Sequence, residues 1–194
     1  MALWGKSDAD ESKPKWLTTA EKKEVYATAS GWVREAGSSW SGNGNTSAQA
    51  EVLACIGSLS TGIGAADVTE VEWITTSFSK SAAAASGRTL SVRVRYNEPV
   101  TVTGNPTLVV TNDTNANHTL VYASGTGSNE LTFTLVIAQN DAATDADDVL
   151  SIAAQNILKP GGATMKDATG TATDSAVAIS GTQGTAAGTI TVVA

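Results

Sequence analysis

From Leu90 onward the chain alternates apolar and polar residues, and this is the feature that most restricts its fold. In LSVRVRY, Leu90, Val92, Val94 and Tyr96 fall on one side of an extended backbone, and Ser91, Arg93 and Arg95 fall on the other. Successive side chains of a strand point to opposite faces, so the pattern predicts a half-buried strand and disfavours a helix. ELTFTLVIA repeats it, with Leu131, Phe133, Leu135 and Ile137 set against Thr132 and Thr134. VTVTG, TLVVT and HTLVYAS lie between them, punctuated by Gly104-Asn105-Pro106 and Gly125-Thr126-Gly127, residues that supply turn conformations. Short strands broken at roughly ten-residue intervals by turn residues predict a two-sheet antiparallel sandwich. Further strands are expected at Val149 to Ala153, in SAVAIS from Ser175 and in the terminal GTITVVA, with a loop around Pro160-Gly161-Gly162. The terminal strand, if unpaired within its own sheet, would offer an edge to a neighbouring copy.

The first half reads differently. Residues 1–22 scatter Trp4, Trp16 and Leu17 among charges and Pro14, too few apolar groups to close a core. An extended arm whose indoles bury in a neighbour is the leading expectation, ahead of packing back on its own domain and of true disorder. Thr18 and Glu21 have the spacing of a capping box that would open a short helix, although Val25, Tyr26 and Thr28 soon shift the preference toward strand. VYATASGWVR then reads as a strand interrupted at Gly31, AGSSWSGNGNTSAQA as a loop, and EVLACIGSL as a buried strand. In DVTEVEWITT, Val68, Val71 and Trp73 are set against Glu70 and Glu72. Composition changes most clearly at SAAAASG, residues 81–87. The fold expected is therefore all-β: an extended arm over 1–22, a small β unit over 23–80, and an Ig-like antiparallel β-sandwich over 81–194. Strand pairing across the last boundary, through residues 68–79, remains open.

Charge and residue usage restrict function. Twelve Lys and Arg stand against 19 Asp and Glu, a net charge of -7, which disfavours nucleic acid and anionic membrane surfaces as partners. The opening MALWGKSDADESKPKW lacks a signal-peptide apolar stretch, and no run approaches the ~20 residues needed to span a bilayer, so synthesis in the cytosol is expected. Cys55 is the only cysteine, which rules out an internal disulfide and is read as a small core residue. The sole histidine, His118, is read as an exposed loop residue with no triad around it. Gly42-Asn43-Gly44-Asn45 reads as turns, since no helix start with a Lys-Ser/Thr pair follows. Glu70 and Glu72 share a strand face and could face a sugar across a cleft; a solvated strand is the plainer reading. In NDAATDADD, Asn140, Asp141, Asp145, Asp147 and Asp148 offer hard oxygen ligands for calcium, but the glycine and closing glutamate of an EF-hand are missing, and a solvated acidic loop is preferred. Neither an enzyme nor a cofactor is expected.

Residues 88 to about 180 resemble the bacterial Ig-like, cadherin-like repeats of large surface adhesins and phage virion proteins. The blocks that carry this are VRVRYNEPVTVTGNPTLVVT, VYASGTGSNELTFTLVI, DADDVLSI and ILKPGGATMKDATGTA, in that order. MALWGKSDADESKPKWL, followed by YATASGWV and AEVLACIGSL, is similar to virion structural proteins of T4-like marine cyanophages. The resemblance implies a protein made in the host cytoplasm and carried on the virion, with a capsid decoration role and the major capsid protein or other virion proteins as partners. Trp4, Trp16, Leu17 and Trp32 are then the docking residues expected, because buried indoles dominate interfaces. The alternative is a tail- or fibre-associated adhesin whose loops at Asn112 to Asn117 and Gly125 to Asn129 touch host glycans. Self-association stays open.

Overall fold

The computed structural model describes residues 13–82, 88–139, 141–169 and 172–194. Two apolar clusters organise it, and the chain builds the smaller one first. The Thr18 hydroxyl accepts from the Glu21 amide at 3.2 Å while the Glu21 carboxylate accepts from the Thr18 amide at 2.8 Å. This reciprocal capping box starts α1 (Thr19–Lys23), and the β-branched and aromatic residues that follow end it. β1 (Val25–Thr28) turns at Ala29 and Ser30 into β2 (Gly31–Arg34), with Val25 opposite Arg34 and Thr28 opposite Gly31. VYATASGWVR is thus a hairpin, not one interrupted strand. Gly31 has φ +133°, and a Cβ there would lie 1.9 Å from the Ala54 carbonyl oxygen, so β3 can approach only a glycine.

β3 (Glu51–Cys55) is the outer strand of this three-stranded sheet. Its residues are exposed or half-buried, and Cys55 is exposed, which corrects the expected buried strand and core thiol. A three-stranded sheet backed by one small cluster covers a single face. That cluster gathers Leu17, Val25, Ala27 and Trp32 with Leu59, from α2 (Leu59–Gly62), and Ile63.

The larger unit collects the alternating segments. β4 (Val68–Trp73) and β5 (Phe78–Ser79) precede β6 (Thr89–Thr103), a single 15-residue strand where sequence suggested two. β7 (Thr107–Asn112), β8 (His118–Ser124) and β9 (Ser128–Val136) form a meander; β10 (Val149–Ser151), β11 (Gln155–Asn156), β12 (Thr164–Asp167), β13 (Ala178–Ile179) and β14 (Thr189–Val193) follow. The large sheet runs β12-β6-β9-β8-β7-β10-β14-β5, with β4 also paired to β6. β4 and β5 therefore join the large sheet. One apolar cluster takes residues from both ends of the strand order, including Val71, Phe78, Val92, Phe133, Leu150 and Val192, so the sheet curls around it and closes a sandwich-like core.

The fold is all-β, as the alternation predicted. Leu90, Val92, Val94 and Tyr96 all point into this core, as do Leu131 and Phe133. Burying each side chain of that size stabilises the fold by about 1.5–3 kcal/mol. Two features depart from a purely antiparallel sandwich with a free last strand. β14 pairs parallel with β5, and it pairs antiparallel with β10 on its other side, so the terminal strand is enclosed and offers no edge to a neighbouring copy. A helix, α3 (Gly181–Ala187), opened by a Ser180/Gln183 capping box, precedes it.

Candidate functional site: a charged cleft between the two cores

The alternation that sends Val92 and Val94 inward sends Arg93 and Arg95 to the opposite face, and strand register decides what they meet. Arg95 lies opposite Glu70 of β4 on one side and Glu130 of β9 on the other, and Arg93 lies opposite Glu72. The Arg95 guanidinium reaches Glu130 at 2.7 Å, Glu70 at 3.4 Å and Glu72 at 3.5 Å; Arg93 reaches Glu72 at 3.2 Å and Glu130 at 3.1 Å. Opposite charges directly across strands support the register.

The N-terminal unit closes over this face. Glu35, just after β2, approaches Arg95 at 3.7 Å and accepts from the Asn129 side-chain amide at 3.0 Å, while Lys23 of α1 pairs with Glu70. Arg95 is left only 7% exposed and Asn129 4%. A cleft of about 470 Å³ remains, lined by Glu24, Tyr26, Glu35, Arg93, Arg95 and Glu130 among others. Beside it, a second of about 560 Å³ runs between Lys23 and Trp40 of the N-terminal unit and Glu70, Glu72 and Ile74 of the sheet.

Four carboxyl groups, Glu35, Glu70, Glu72 and Glu130, share three cations, Lys23, Arg93 and Arg95. Burial pushes the Glu35 carboxyl up to about 7, Arg95 pulls it back, and the Glu130 charge raises it further. Both carboxyls meet the same guanidinium, Glu130 at 2.7 Å and Glu35 at 3.7 Å from Arg95. Burial opposes the charge on Arg95, yet Glu35, Glu130 and Glu72 outweigh it and raise its pKa. Tyr26 is raised by burial first, then by Glu35 and Glu130. Chemically, the array pairs donors with acceptors across the junction of the two units.

No protein-family model matches this chain, and no curated protein or solved structure does. Its residues are therefore judged by their surroundings alone.

The described residues among those expected to dock do not share a surface. Trp32 is fully buried and Leu17 only 6% exposed, both in the smaller cluster, because the β1–β2 hairpin turns Trp32 onto Val25 and Ala27. Packing replaces the docking role expected of these two. Trp16 is 61% exposed, and Trp4 lies outside the described residues.

Among the described residues, no three His, Cys, Asp or Glu side chains are grouped to hold a metal ion. Asp148 is buried, Asp145 faces solvent and pairs with Lys80 at 2.8 Å, and Asp147 is exposed; Asn140 lies outside the described residues. The Asp148 carboxylate accepts from the side-chain amides of Asn112 at 2.7 Å and Asn115 at 3.1 Å, from the Asp145 amide at 2.8 Å, and from the Thr114 hydroxyl. Burial works against its ionisation, but these bonds outweigh it and hold its pKa far below the usual carboxylate range. Asp148 is thus a structural latch, where a solvated loop was expected.

His118 is also corrected: it opens β8, is 7% exposed, and its Nε2 lies 3.2 Å from the Thr144 hydroxyl. Burial lowers its pKa, with Asp141 and Asp148 pulling the other way. The side-chain amides of Asn112, Asn115 and Asn129, available to a glycan on the adhesin reading, are engaged within the protein.

Sequence reasoning missed the charged cleft. Its signal was present, since two glutamates and two arginines, each at strand spacing, are complementary when their strands pair. What covered them was not.

Proposed function

We propose that the chain is a phage virion structural accessory protein, a capsid decoration protein that docks through its N-terminal region and projects its sandwich outward. The observation that carries this reading is the division of labour between the two cores: a small mount built on Leu17, Val25 and Trp32, and a larger closed body behind it. Two large indoles, Trp16 and Trp40, sit at the surface of the mount, 61% and 49% exposed. Buried tryptophans are the residues most enriched among interface hot spots, and truncating one there costs about 2 kcal/mol or more.

The test is stoichiometry in purified particles by quantitative mass spectrometry. Hundreds of copies per particle support a capsid location; a dozen or fewer move the protein to the tail, and none at all ends the proposal. Replacing Trp16 and Trp40 together by Ala is expected to cut incorporation at least about tenfold while the sandwich keeps its melting transition. Unchanged incorporation would remove the docking role of the mount.

A further inference from the structure

The smaller and larger apolar clusters share no residue, and the side-chain bridges between the two units are polar. Among the described residues they include the Lys23–Glu70 pair, the Glu35–Arg95 pair at 3.7 Å and the Asn129–Glu35 hydrogen bond at 3.0 Å. The covalent link is equally slight. Ile63 belongs to the small cluster and Ala66 to the large one, with only Gly64, at φ +102°, and Ala65 between them. Ala66 and Asp67 are fixed on the sandwich side, since the Asp67 amide donates to Asn97 Oδ1 at 2.7 Å.

We propose that the N-terminal unit, residues 13–64, is a module clamped to the sandwich through Glu35, closed while Glu35 is protonated and loosened when it ionises beside Glu130 on the shared Arg95 guanidinium. The inference concerns the chain itself and holds whatever surface the protein occupies. The charged and titratable groups around Glu35 and its partner Arg95 come from every neighbouring element. Lys23 belongs to α1, Glu24 follows it, and Tyr26 lies on β1; Glu70 and Glu72 lie on β4, Arg93 and Arg95 on β6, and Asn129 and Glu130 on β9. With Glu35 protonated, Arg95 keeps its pairs with Glu130, Glu70 and Glu72 while the Glu35 carboxyl still accepts from Asn129. Once Glu35 ionises, it and Glu130 oppose each other as like charges in a covered site, and the strain falls on the contacts that Glu35 makes with Arg95 and Asn129 across the two units.

The sign follows from linkage. A carboxyl whose pKa is raised in the docked state favours docking below its ordinary value, and that advantage is lost as the pH rises through the raised one. For Glu35 the window runs from 4.5 to about 7, and the docked-to-undocked ratio falls across it. Salt acts in the same direction, because ion pairs at an interface open to water are screened.

The native thiol of Cys55, exposed on β3, and a second cysteine at Leu158→Cys, an exposed site on the sandwich, allow a spin label on each unit of the full chain. Pulsed electron paramagnetic resonance is expected to give one narrow distance at about pH 5 and a second, broader population at about pH 8.5, enlarged by roughly 1 M sodium chloride. Glu35→Gln is expected to keep the narrow distance at both pH values. Should that variant fold poorly, Glu130→Gln removes the like charge and is expected to flatten the same response. An identical narrow distribution for the wild-type chain at both pH values and both salt concentrations overturns the proposal, as does a pH response that survives both substitutions.

Discussion

Replacing Asp148 by Ala tests whether the acidic segment is a latch or a ligand site. Four donors converge on this carboxylate, but they do not lose equally when it goes. Thr114 and Asp145 are exposed and Asn115 half-exposed, so water replaces most of what they lose. Asn112 is buried, its amide left with a 3.3 Å bond to the Ala143 carbonyl, and it bears most of the penalty of an unsatisfied donor. That penalty is about 1–3 kcal/mol, and three partly recovered charge-assisted bonds add about 1 more, for a total near 3 kcal/mol. In a domain of this size, the melting temperature is expected to fall by about 6–12 °C, read by calorimetry at neutral pH.

The pH dependence follows from the depressed pKa. The contribution of Asp148 is fully present above its ordinary value of 3.8 and is lost progressively as the pH falls from there through the depressed folded-state value, so wild type and variant draw together in strong acid. Because protein donors already saturate the carboxylate, calcium is expected to give no heat on titration and no gain in melting temperature. A variant that melts within a degree or so of wild type refutes the latch, and rescue of stability by millimolar calcium refutes the accounting of donors.

Three further outcomes are expected. Trp32→Ala removes the largest side chain of the small core, at a cost of about 3–5 kcal/mol; hydrogen exchange over residues 25–55 should accelerate while β6 and β9 stay protected, and uniform loss of protection would mean the two cores are one cooperative unit. Cys55, being exposed, should react with a thiol reagent in the native protein without denaturant, and a need for denaturant would contradict its position on β3. Gly125→Ala places a Cβ 1.9 Å from the Glu130 carbonyl oxygen at φ +111° and should cost about 2 kcal/mol or more in denaturant unfolding, whereas Gly127→Ala, with open space around it, should cost about half as much; equal costs would show that the close approach relaxes freely.

Alternation made much of the larger fold legible. Leu90 to Tyr96 and Leu131 to Phe133 face inward because a pleated strand allows them nothing else, and Thr18 with Glu21 marked the first helix for an equally local reason. Period two says which face of a strand is apolar, however, and is silent on what covers the other face. Arg95 was therefore expected in solvent, and it lies under Glu35, a residue 60 positions earlier. The same blindness to distant partners hid the enclosure of β14 by β5 and β10. EVLACIGSL erred in the opposite direction, since an apolar run states a preference for burial that a narrow sheet cannot grant to every member. The candidate site was hardest to read for this reason: each of its charges looked like ordinary surface until the second unit was placed above it.

The position of β14 also sets the order in which the molecule can mature. Its Val192 lies beside Phe78, from near the middle of the chain, and Ile190 and Val192 both supply core atoms. During synthesis the N-terminal hairpin, with its short-range contacts, can form as soon as it leaves the ribosome. The large sheet must wait for β14, exposing β5 and β10 as sticky borders until residues 189–193 have left the ribosome. Losing even the last half-dozen residues should therefore yield insoluble protein, not a slightly shorter native one.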